Sequence, residues 1–181
     1  MTDIDWTAIN AKLPTASTLI AREQRKQLFQ SFDNGNGVLS LAEVDKAIRD
    51  ILKIDAIFDA KPAILRAFQI AKNSSRSNRE IGDEFLELKE FRYFLLSLRQ
   101  YFEYWVAFSR MDRSGDRKIS LAEFKKAKGV MEVWVGKIGD LEGEFKKIDK
   151  NGGGSILFDE FCTWAIQKNL DLEDDDDDIA K

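Results

Sequence analysis

The chain has 181 residues, a formal net charge of −4 and 44% hydrophobic residues, which is enough for one compact domain or two small lobes. Histidine is absent, which excludes Ser–His–Asp and Cys–His catalysis and every zinc site that requires histidine. No glycine-rich phosphate-binding loop followed by Lys-Ser or Lys-Thr occurs, so we predict that the chain is not an enzyme.

Cysteine usage and hydropathy predict a cytoplasmic protein. The single cysteine, Cys162, cannot form an internal disulfide, which is typical of a reducing compartment, and we expect it to be a small buried apolar residue. No N-terminal apolar run resembles a signal peptide, and no stretch of 18 or more apolar residues could span a bilayer. We expect no nucleic-acid partner.

The chain begins with a predicted extension, residues 1–17, that contains a short amphipathic helix. Trp6, Ile9 and Leu13 are spaced for one helix face, and the pattern ends before Pro14. The sequence leaves open whether this helix docks on the body of the protein or on a partner.

Residues 33–43, DNGNGVLSLAE, form the first of four related polar segments and are called the first loop. It has Leu39 and Glu43 four residues apart, and an apolar helical stripe follows it. The residues of that stripe, which we expect to face the core, are Val44, Ala47, Ile48, Ile51 and Leu52.

The second segment, residues 79–90, repeats the same end with Leu86 and Glu90 but has no matching glycine or first aspartate. We predict that Leu86 pairs with Leu39. The polar stretch NSSRSNREIGDE, residues 73–84, reads as an inserted loop. A helix is predicted before it, with a start at Pro62 and with Ile64, Phe68 and Ala71 on its core-facing side.

Residues 91–111 contain no glycine or proline and thirteen large apolar or aromatic residues. A helix that is apolar around most of its circumference is usually buried. We therefore predict that the two halves of the chain pack on one another through this segment. The alternative is an exposed surface that binds a partner.

Residues 112–123, DRSGDRKISLAE, are the third loop, and they offer oxygen atoms at regular spacing. The groups at positions 1, 3, 5, 7, 9 and 12 are Asp112, Ser114, Asp116, the carbonyl of Lys118, Ser120 and Glu123. Calcium takes six to eight oxygen ligands, and the helix–loop–helix EF-hand delivers them in this order. We predict a calcium site here. Arg117 replaces the usual glycine at position 6 and should strain the turn by about 1 kcal/mol.

Residues 149–160, DKNGGGSILFDE, are the fourth loop and the second predicted calcium site. The groups at positions 1, 3, 5, 7 and 12 are Asp149, Asn151, Gly153 acting through a water, the carbonyl of Ser155 and Glu160. Gly154 stands at position 6, where positive φ costs glycine nothing. Position 9 is Leu157, so the usual polar group is missing. Ile119 and Ile156, at position 8 of the two loops, are predicted to pair.

The same numbering makes the first loop one residue short, because position 1 falls on Phe32. We expect the first loop and the second segment to be structural and metal-free, since the second segment has Arg79 and Ile81 at positions 1 and 3. The sequence leaves open whether the first loop binds any ion.

The C-terminal residues 171–181 form a predicted acidic tail. Residues 171–178 hold seven acids, whereas residues 1–170 hold 27 basic and 25 acidic residues, a net +2. Consecutive aspartates repel one another, so we expect a solvated, disordered tail. The alternative is that the tail folds back on Lys125, Lys126 and Lys128 or loosely concentrates cations.

These patterns predict an all-α fold of four EF-hands in two pairs, with short paired β-bridges. The expected division is an extension over 1–17, a degenerate pair over 18–99, a calcium-binding pair over 100–170 and the tail over 171–181.

A family resemblance rests on FLELKEFRYFLLSLRQYFEYWVAFSRM at 85–111, on the third loop behind it, and on DKNGGGSILFDEF in the fourth. Over residues 22–165 the chain resembles the calflagins, the flagellar calcium-binding proteins of flagellated protozoa. The resemblance implies a calcium sensor with ions in the third and fourth loops, and a flagellar location. Calflagins carry an N-terminal glycine and a nearby cysteine for acylation, whereas this chain begins MTDIDW, so we expect no acyl anchor.

We interpret the chain as a calcium sensor that engages a protein partner, or a membrane-associated target, through apolar surface exposed by calcium. The alternatives are a cytosolic calcium buffer and a structural adaptor that binds its target without calcium. Magnesium is a competitor for loops with incomplete ligand sets. The oligomeric state stays open.

Overall fold

The structure is a computed structural model that describes residues 4–74 and 84–170. The chain divides between Phe102 and Glu103 into two compact units. In the described residues each unit is built of helices with one two-stranded antiparallel sheet, which confirms the predicted fold class. The predicted packing of the two halves stays a prediction. Most of the inserted loop, including Arg79 and Ile81, and the acidic tail lie outside the described residues.

The N-terminal unit contains most of the helices that surround the first loop and the second segment. Its elements are α1 (Trp6–Lys12), α2 (Leu19–Phe32), β1 (Leu39–Ser40), α3 (Leu41–Ala47), a π-helical turn (Ile48–Leu52), α4 (Asp55–Asp59), α5 (Lys61–Lys72) and β2 (Phe85–Leu86). Helix α6 (Leu88–Met111) begins in this unit and ends in the next.

The N-terminal helix α1 docks on its own unit, a point that the sequence left open. Ile9 and Leu13 are buried, and the ring of Trp6 lies 5.6 Å from that of Phe102. The ammonium group of Lys12 donates to the main-chain carbonyls of Leu52 and Lys53, at the end of the π-helical turn, at 2.8 and 3.1 Å. Both apolar contacts and hydrogen bonds therefore hold the extension against the body of the unit.

Each sheet consists of two residues from each of two paired segments. The predicted pairs of apolar residues lie opposite one another. Leu39 in β1 lies opposite Leu86 in β2, and both side chains are fully buried. In the C-terminal unit, β3 (Ile119–Ser120) pairs with β4 (Ser155–Ile156), with Ile119 opposite Ile156. The two members of a pair are thus joined by antiparallel strand pairing of the residues at position 8.

The apolar stripe after the first loop is only partly as predicted. Val44, Ala47, Ile48 and Leu52 are buried, but Ile51 is 42% exposed. The chain forms a π-helical turn here, and the wider turn rotates the following side chains relative to an α-helix. The prediction for Ile51, which assumed a regular α-helix, was therefore wrong.

Aromatic rings form the centre of the N-terminal unit. Phe91, fully buried on α6, lies 5.3 Å from Phe29, 5.5 Å from Phe32 and 6.0 Å from Phe94 between ring centroids. Helix α5 has proline in its first turn and buries its predicted core-facing residues, which are Ile64, Phe68 and Ala71. The rings fix α2 against α6 and so place the first loop at the end of α2.

The C-terminal unit surrounds the third and fourth loops. Besides its two strands it contains α7 (Leu121–Lys126), α8 (Lys128–Val135), α9 (Leu141–Ile148) and α10 (Phe158–Gln167). Its core is also aromatic: Phe108 lies 5.5 Å from Phe158 and 5.6 Å from Phe161, and Phe124 lies 5.7 Å from Phe145. Cys162 is buried in this core, in agreement with its predicted role.

Helix α6 is buried along most of its length but not around its whole circumference. Its exposed large apolar side chains are Leu88, Tyr93 and Leu96, with 38–45% of their surface accessible. The buried apolar residues on α6 are Phe91, Phe94, Leu95, Leu98, Tyr101, Phe102, Tyr104, Val106, Ala107, Phe108 and Met111. The helix therefore contributes core residues to each unit.

Candidate metal centre

The first, third and fourth loops share one hydrogen-bond arrangement. In each, the aspartate that follows the incoming helix accepts bonds from amide groups near position 6. The glutamate of the outgoing helix accepts bonds from the amide group at position 9 and from the beginning of the loop. The first and last carboxylates therefore hold the two ends of the same turn.

In the third loop, Asp112 organises the first half of the turn. Its Oδ1 accepts from the amide of Gly115 at 2.8 Å and from the hydroxyl of Ser114 at 3.2 Å, and its Oδ2 accepts from the amide of Arg117 at 2.9 Å. Asp116 accepts from the amide of Lys118 at 2.9 Å. Positions 1 and 3 are thus in direct contact, and the position-5 carboxylate bonds the amide at position 7.

Glu123 closes the third loop from the other side. Its Oε1 accepts from the amides of Arg113 and Ser114 at 3.1 and 3.0 Å, and its Oε2 accepts from the amide and hydroxyl of Ser120 at 2.9 and 2.7 Å. These bonds, foremost that from the Ser120 amide, lower the pKa of Glu123 to about 2 although burial opposes the change. The carboxylate is therefore ionised at neutral pH.

Ser120 has a structural function that the sequence analysis did not assign. Its hydroxyl accepts from the amide of Glu123 at 3.3 Å and caps α7, while Glu123 bonds back to the Ser120 amide. The hydroxyl is thus engaged by Glu123. A ligand role for this side chain at position 9 stays a prediction.

The fourth loop repeats the arrangement with different side chains. Asp149 accepts from the amides of Gly153 and Gly154 at 3.0 and 2.9 Å. Glu160 accepts from the main-chain and side-chain amides of Asn151 at 3.1 and 2.8 Å, and from the amide of Leu157 at 2.9 Å. Position 3 and position 12 are therefore in direct contact across the loop.

The remaining predicted groups lie where the motif requires them along the chain. The oxygen of Asn151 accepts from the amide of Gly153 at 2.7 Å, so Gly153 contributes only its backbone at position 5. Ser155 lies in β4 opposite Ser120, and Lys118 directly precedes β3. The two position-7 groups are thus at the edge of the sheet that joins the loops.

Position 6 has the same backbone conformation in both loops but different residues. Gly154 has φ of +77° and Arg117 has φ of +65°. Glycine adopts this left-handed region without cost, whereas a residue with a Cβ is strained there by about 1 kcal/mol. The predicted strain at Arg117 therefore has its expected geometric cause.

The first loop keeps the arrangement with one residue fewer. Asp33 accepts from three consecutive amides, those of Gly35, Asn36 and Gly37, at 2.9 to 3.2 Å. Glu43 accepts from the amides of Asn34 and Ser40 at 3.1 and 2.8 Å and forms a capping box with Ser40. Burial would raise the pKa of Glu43, but these hydrogen bonds leave it lowered overall. The loop is closed by its own amide groups.

The second segment resembles the others only at its end. Glu90 is 1% exposed and accepts from the amide of Glu87 at 3.0 Å, which reproduces the position-9 to position-12 bond. Glu84 is exposed and lies 3.4 Å from the ammonium of Lys72. The described part of this segment serves as the partner of β1.

The chemistry of the third and fourth loops fits a hard divalent cation. Within residues 4–74 and 84–170, no group of three or more acidic, cysteine or histidine side chains could hold a metal by itself. An EF-hand draws its other oxygens from hydroxyl, amide and main-chain groups. The third loop offers Ser114 and the carbonyl of Lys118 for this purpose, and the fourth offers Asn151 and the carbonyl of Ser155.

One contact beside the fourth loop was missed by the sequence analysis. Glu144 on α9 accepts a hydrogen bond from the indole N–H of Trp164 on α10 at 2.8 Å. Glu144 gave no sequence signal of burial, because it is an acid on a largely polar helix. The contact joins the two helices that flank the loop.

The paired loops between helices, joined by two-residue strands, define an EF-hand protein. Residues 104–166 match the EF-hand domain pair, and residues 9–98 match the FCaBP EF-hand domain. The chain is 34% identical over 179 residues to the flagellar calcium-binding protein of Trypanosoma cruzi, covering 97% of this chain and 85% of that protein.

Two relatives come from Trypanosoma brucei brucei. Flagellar calcium-binding protein TB-17 is 36% identical over 178 residues, covering 97% of this chain and 76% of the relative. Protein TB-44A is 37% identical over 177 residues, covering 96% of this chain and 44% of the relative. The chain therefore belongs to the family of flagellar calcium-binding proteins, as its resemblance to the calflagins predicted.

None of the helices in residues 4–74 and 84–170 is both long enough and apolar enough to cross a membrane.

Proposed function

We propose that the protein binds one calcium ion in the third loop and one in the fourth, and that it acts as a calcium sensor. The observation that carries this proposal is the arrangement shared by the two loops. An aspartate at the end of one helix and a glutamate on the next helix point into one turn that is rich in further oxygens.

The residues proposed as ligands join helices that are separate in the chain. Asp112 follows α6 and Glu123 belongs to α7, whereas Asp149 follows α9 and Glu160 belongs to α10. When bound, calcium would offset the negative charge of both carboxylates of a loop. Because Glu123 and Glu160 belong to the outgoing helices, a shift of either carboxylate on calcium binding moves its helix relative to the incoming one, as in sensor EF-hands.

The ligand assignment is tested by calorimetric titration of the wild-type protein and two single variants. We expect two calcium ions per chain for the wild type. Glu123→Gln and Glu160→Gln should each remove one ion, because an amide supplies one neutral oxygen where a bidentate carboxylate supplied two.

Glu43→Gln is the matched control, since Glu43 holds the equivalent position in the first loop. It should leave the stoichiometry at two. Unchanged stoichiometry in both Glu123→Gln and Glu160→Gln would refute the assignment, and loss of an ion in the control would place a site in the first loop.

The sensor proposal, as opposed to a buffer, is supported by exposed apolar side chains in the unit that contains the two loops. Val133 on α8 is 76% exposed and Val130 is 44% exposed, while Ile166 on α10 is 49% exposed. Such side chains could form part of an apolar surface that a protein target covers. A buffer would bind the ions with little change in this surface.

Two further points extend the proposal. The relatives are named flagellar proteins, which supports a flagellar location for this one. Magnesium should compete in both loops, because Arg117 strains the third and the fourth has Gly153 and Leu157 in place of polar side chains. A calcium titration repeated in millimolar magnesium would show lower apparent affinity if this is correct and unchanged affinity if it is not.

A further inference from the structure

A carboxylate is buried between the two helices that flank the fourth loop. Glu144 on α9 is 9% exposed, and its Oε1 accepts from the indole N–H of Trp164 at 2.8 Å and from the ammonium of Lys168 at 3.0 Å. Trp164 lies on α10 and Lys168 directly follows that helix. We call these three residues the clasp.

Trp164 and Lys168 supply hydrogen-bond donors to the Glu144 carboxylate, which would otherwise be costly to bury. Burial alone would raise the pKa of Glu144, but the bonds from Trp164 and Lys168 leave that pKa lowered overall. Lys147, the nearest other cation, is 3.5 Å away and mostly exposed. Removal of Trp164 or Lys168 as donors would leave the carboxylate short of partners in a poorly hydrated place.

The position of the clasp relates it to the proposed calcium ligands. Glu144 lies five residues before Asp149, on the helix that leads into the loop. Trp164 lies four residues after Glu160, one helical turn further along α10. The hydrogen bond between Glu144 and Trp164 therefore restrains the two helices whose relative placement decides where the Glu160 carboxylate falls.

Alanines stand at the corresponding positions of the third loop. The residue five before Asp112 is Ala107, and the residue four after Glu123 is Ala127. Both alanines are buried. An alanine side chain cannot form a hydrogen bond, so a carboxylate–indole pair cannot form at these two positions.

We propose that Glu144 is a positioning residue for the fourth loop. By bonding Trp164 and Lys168 it sets α10 against α9, and Glu160 is thereby held where its carboxylate meets Asn151 across the loop. This inference rests on the proposed function, because it concerns calcium binding at residues 149–160. It predicts that loss of the clasp weakens calcium binding in the fourth loop and leaves the third loop unaffected.

The test uses full-length chains that carry Glu123→Gln, so that calorimetry reports the fourth loop alone. Glu144→Leu should weaken calcium binding about tenfold, within the usual range of coupling between sites. Glu144→Gln should have a smaller effect, because its amide oxygen can still accept from Trp164. Glu142→Gln is the matched control, because Glu142 lies on the same helix but pairs with Lys125. The calcium affinity of this variant should stay within about twofold of that of the parent.

A second measurement separates positioning from simple stabilisation. Thermal unfolding of the same variants is followed in chelator and in saturating calcium, and the indole N–H of Trp164 is observed by NMR. Loss of a positioning residue reduces the extra stability that calcium gives. Loss of a purely structural residue reduces the stability of the calcium-free and calcium-bound protein equally. The indole signal should shift in Glu144→Leu and remain close to the parent in Glu142→Gln.

The possible outcomes are distinguishable. If the Glu123→Gln parent itself binds no calcium, the part of the proposed function that places an ion in the fourth loop is wrong. If the parent binds calcium and Glu144→Leu binds it with the same affinity, the positioning role is overturned, whatever happens to stability. Equal weakening by Glu144→Leu and Glu142→Gln would also overturn it, because of these two glutamates it is Glu144 that bonds Trp164, whereas Glu142 pairs with Lys125.

Discussion

The residue at position 6 decides how easily each proposed calcium loop makes its turn. Gly154 and Arg117 have nearly the same positive φ, +77° and +65°. Space is not the difference, because a Cβ built on Gly154 meets no atom within 4 Å. Backbone strain is therefore what separates the two positions, and it disfavours the third loop.

The prediction at this scale is a reciprocal exchange. Arg117→Gly should raise calcium affinity in the third loop up to about fivefold, because about 1 kcal/mol of strain is relieved where the ordered loop is required. Gly154→Ala should lower affinity in the fourth loop by a similar factor. Both are measured by calorimetry in the background that silences the other loop, Glu160→Gln for the former and Glu123→Gln for the latter. Equal affinity before and after both exchanges would show that φ at position 6 does not limit binding.

Single residues also show what the sequence could and could not predict. The strained position of Arg117 and the burial of Cys162 follow from motif position and residue type alone. The Ser-x-x-Glu spacing of Ser120 and Glu123 is the sequence signature of a capping box, so this helix cap was predictable as well. The carboxylate of Glu144, in contrast, has a function that depends on which neighbour comes within 3 Å. No pattern along the chain encodes that neighbour, so the clasp could be found only from coordinates.

At the scale of elements, the two-residue strands connect loops that are far apart in sequence. Leu39 and Leu86 are opposite each other and fully buried, although 46 residues separate them along the chain. The capping box between Ser40 and Glu43 begins α3 directly after β1. The first loop is therefore organised by its own amides, its strand and its cap, which supports its interpretation as structural.

The corresponding prediction concerns stability without metal. Leu39→Ala should lower the free energy of unfolding of the calcium-free protein by about 2–5 kcal/mol, because it removes a buried side chain from a packed strand pair. Leu65→Ala is the matched control, since Leu65 is 43% exposed on α5, and it should cost less than about 1 kcal/mol. Urea unfolding in chelator measures both. Similar losses in the two variants would show that the strand pair does not stabilise this unit.

Most elements were predictable because the loop motif fixes what precedes and follows it. The pairing of Ile119 with Ile156 follows from their common position 8. The π-helical turn before Lys53 was not predictable, because the apolar spacing around Ile51 is equally consistent with a continuous α-helix. The wider turn ends at Lys53 with φ of +53°, a conformation that only the folded chain reveals.

At the scale of the whole molecule, structural and ion-binding functions are assigned to different parts of the chain. The N-terminal unit contains the shortened first loop and the second segment, and the C-terminal unit contains both proposed calcium sites. Exposed aliphatic residues on α8 and α10 lie in the same unit as those sites. A calcium signal and a change in apolar surface can therefore arise within one unit.

This arrangement predicts the response to a hydrophobic fluorescent probe. Calcium should raise probe fluorescence about twofold or more, because a sensor exposes apolar surface when its outgoing helices move. The matched control is the double variant Glu123→Gln, Glu160→Gln, which should show no rise. A wild-type protein that binds calcium without any rise would be a buffer, and binding of a target that is insensitive to chelator would indicate an adaptor.

The most direct test of the central claim is a crystal structure determined in millimolar calcium. We predict one ion in each of the third and fourth loops, with Asp112 and Glu123 on the first ion and Asp149 and Glu160 on the second, and no ion in the first loop. Empty density in both C-terminal loops, or an ion bound by Asp33 and Glu43 instead, would contradict the account.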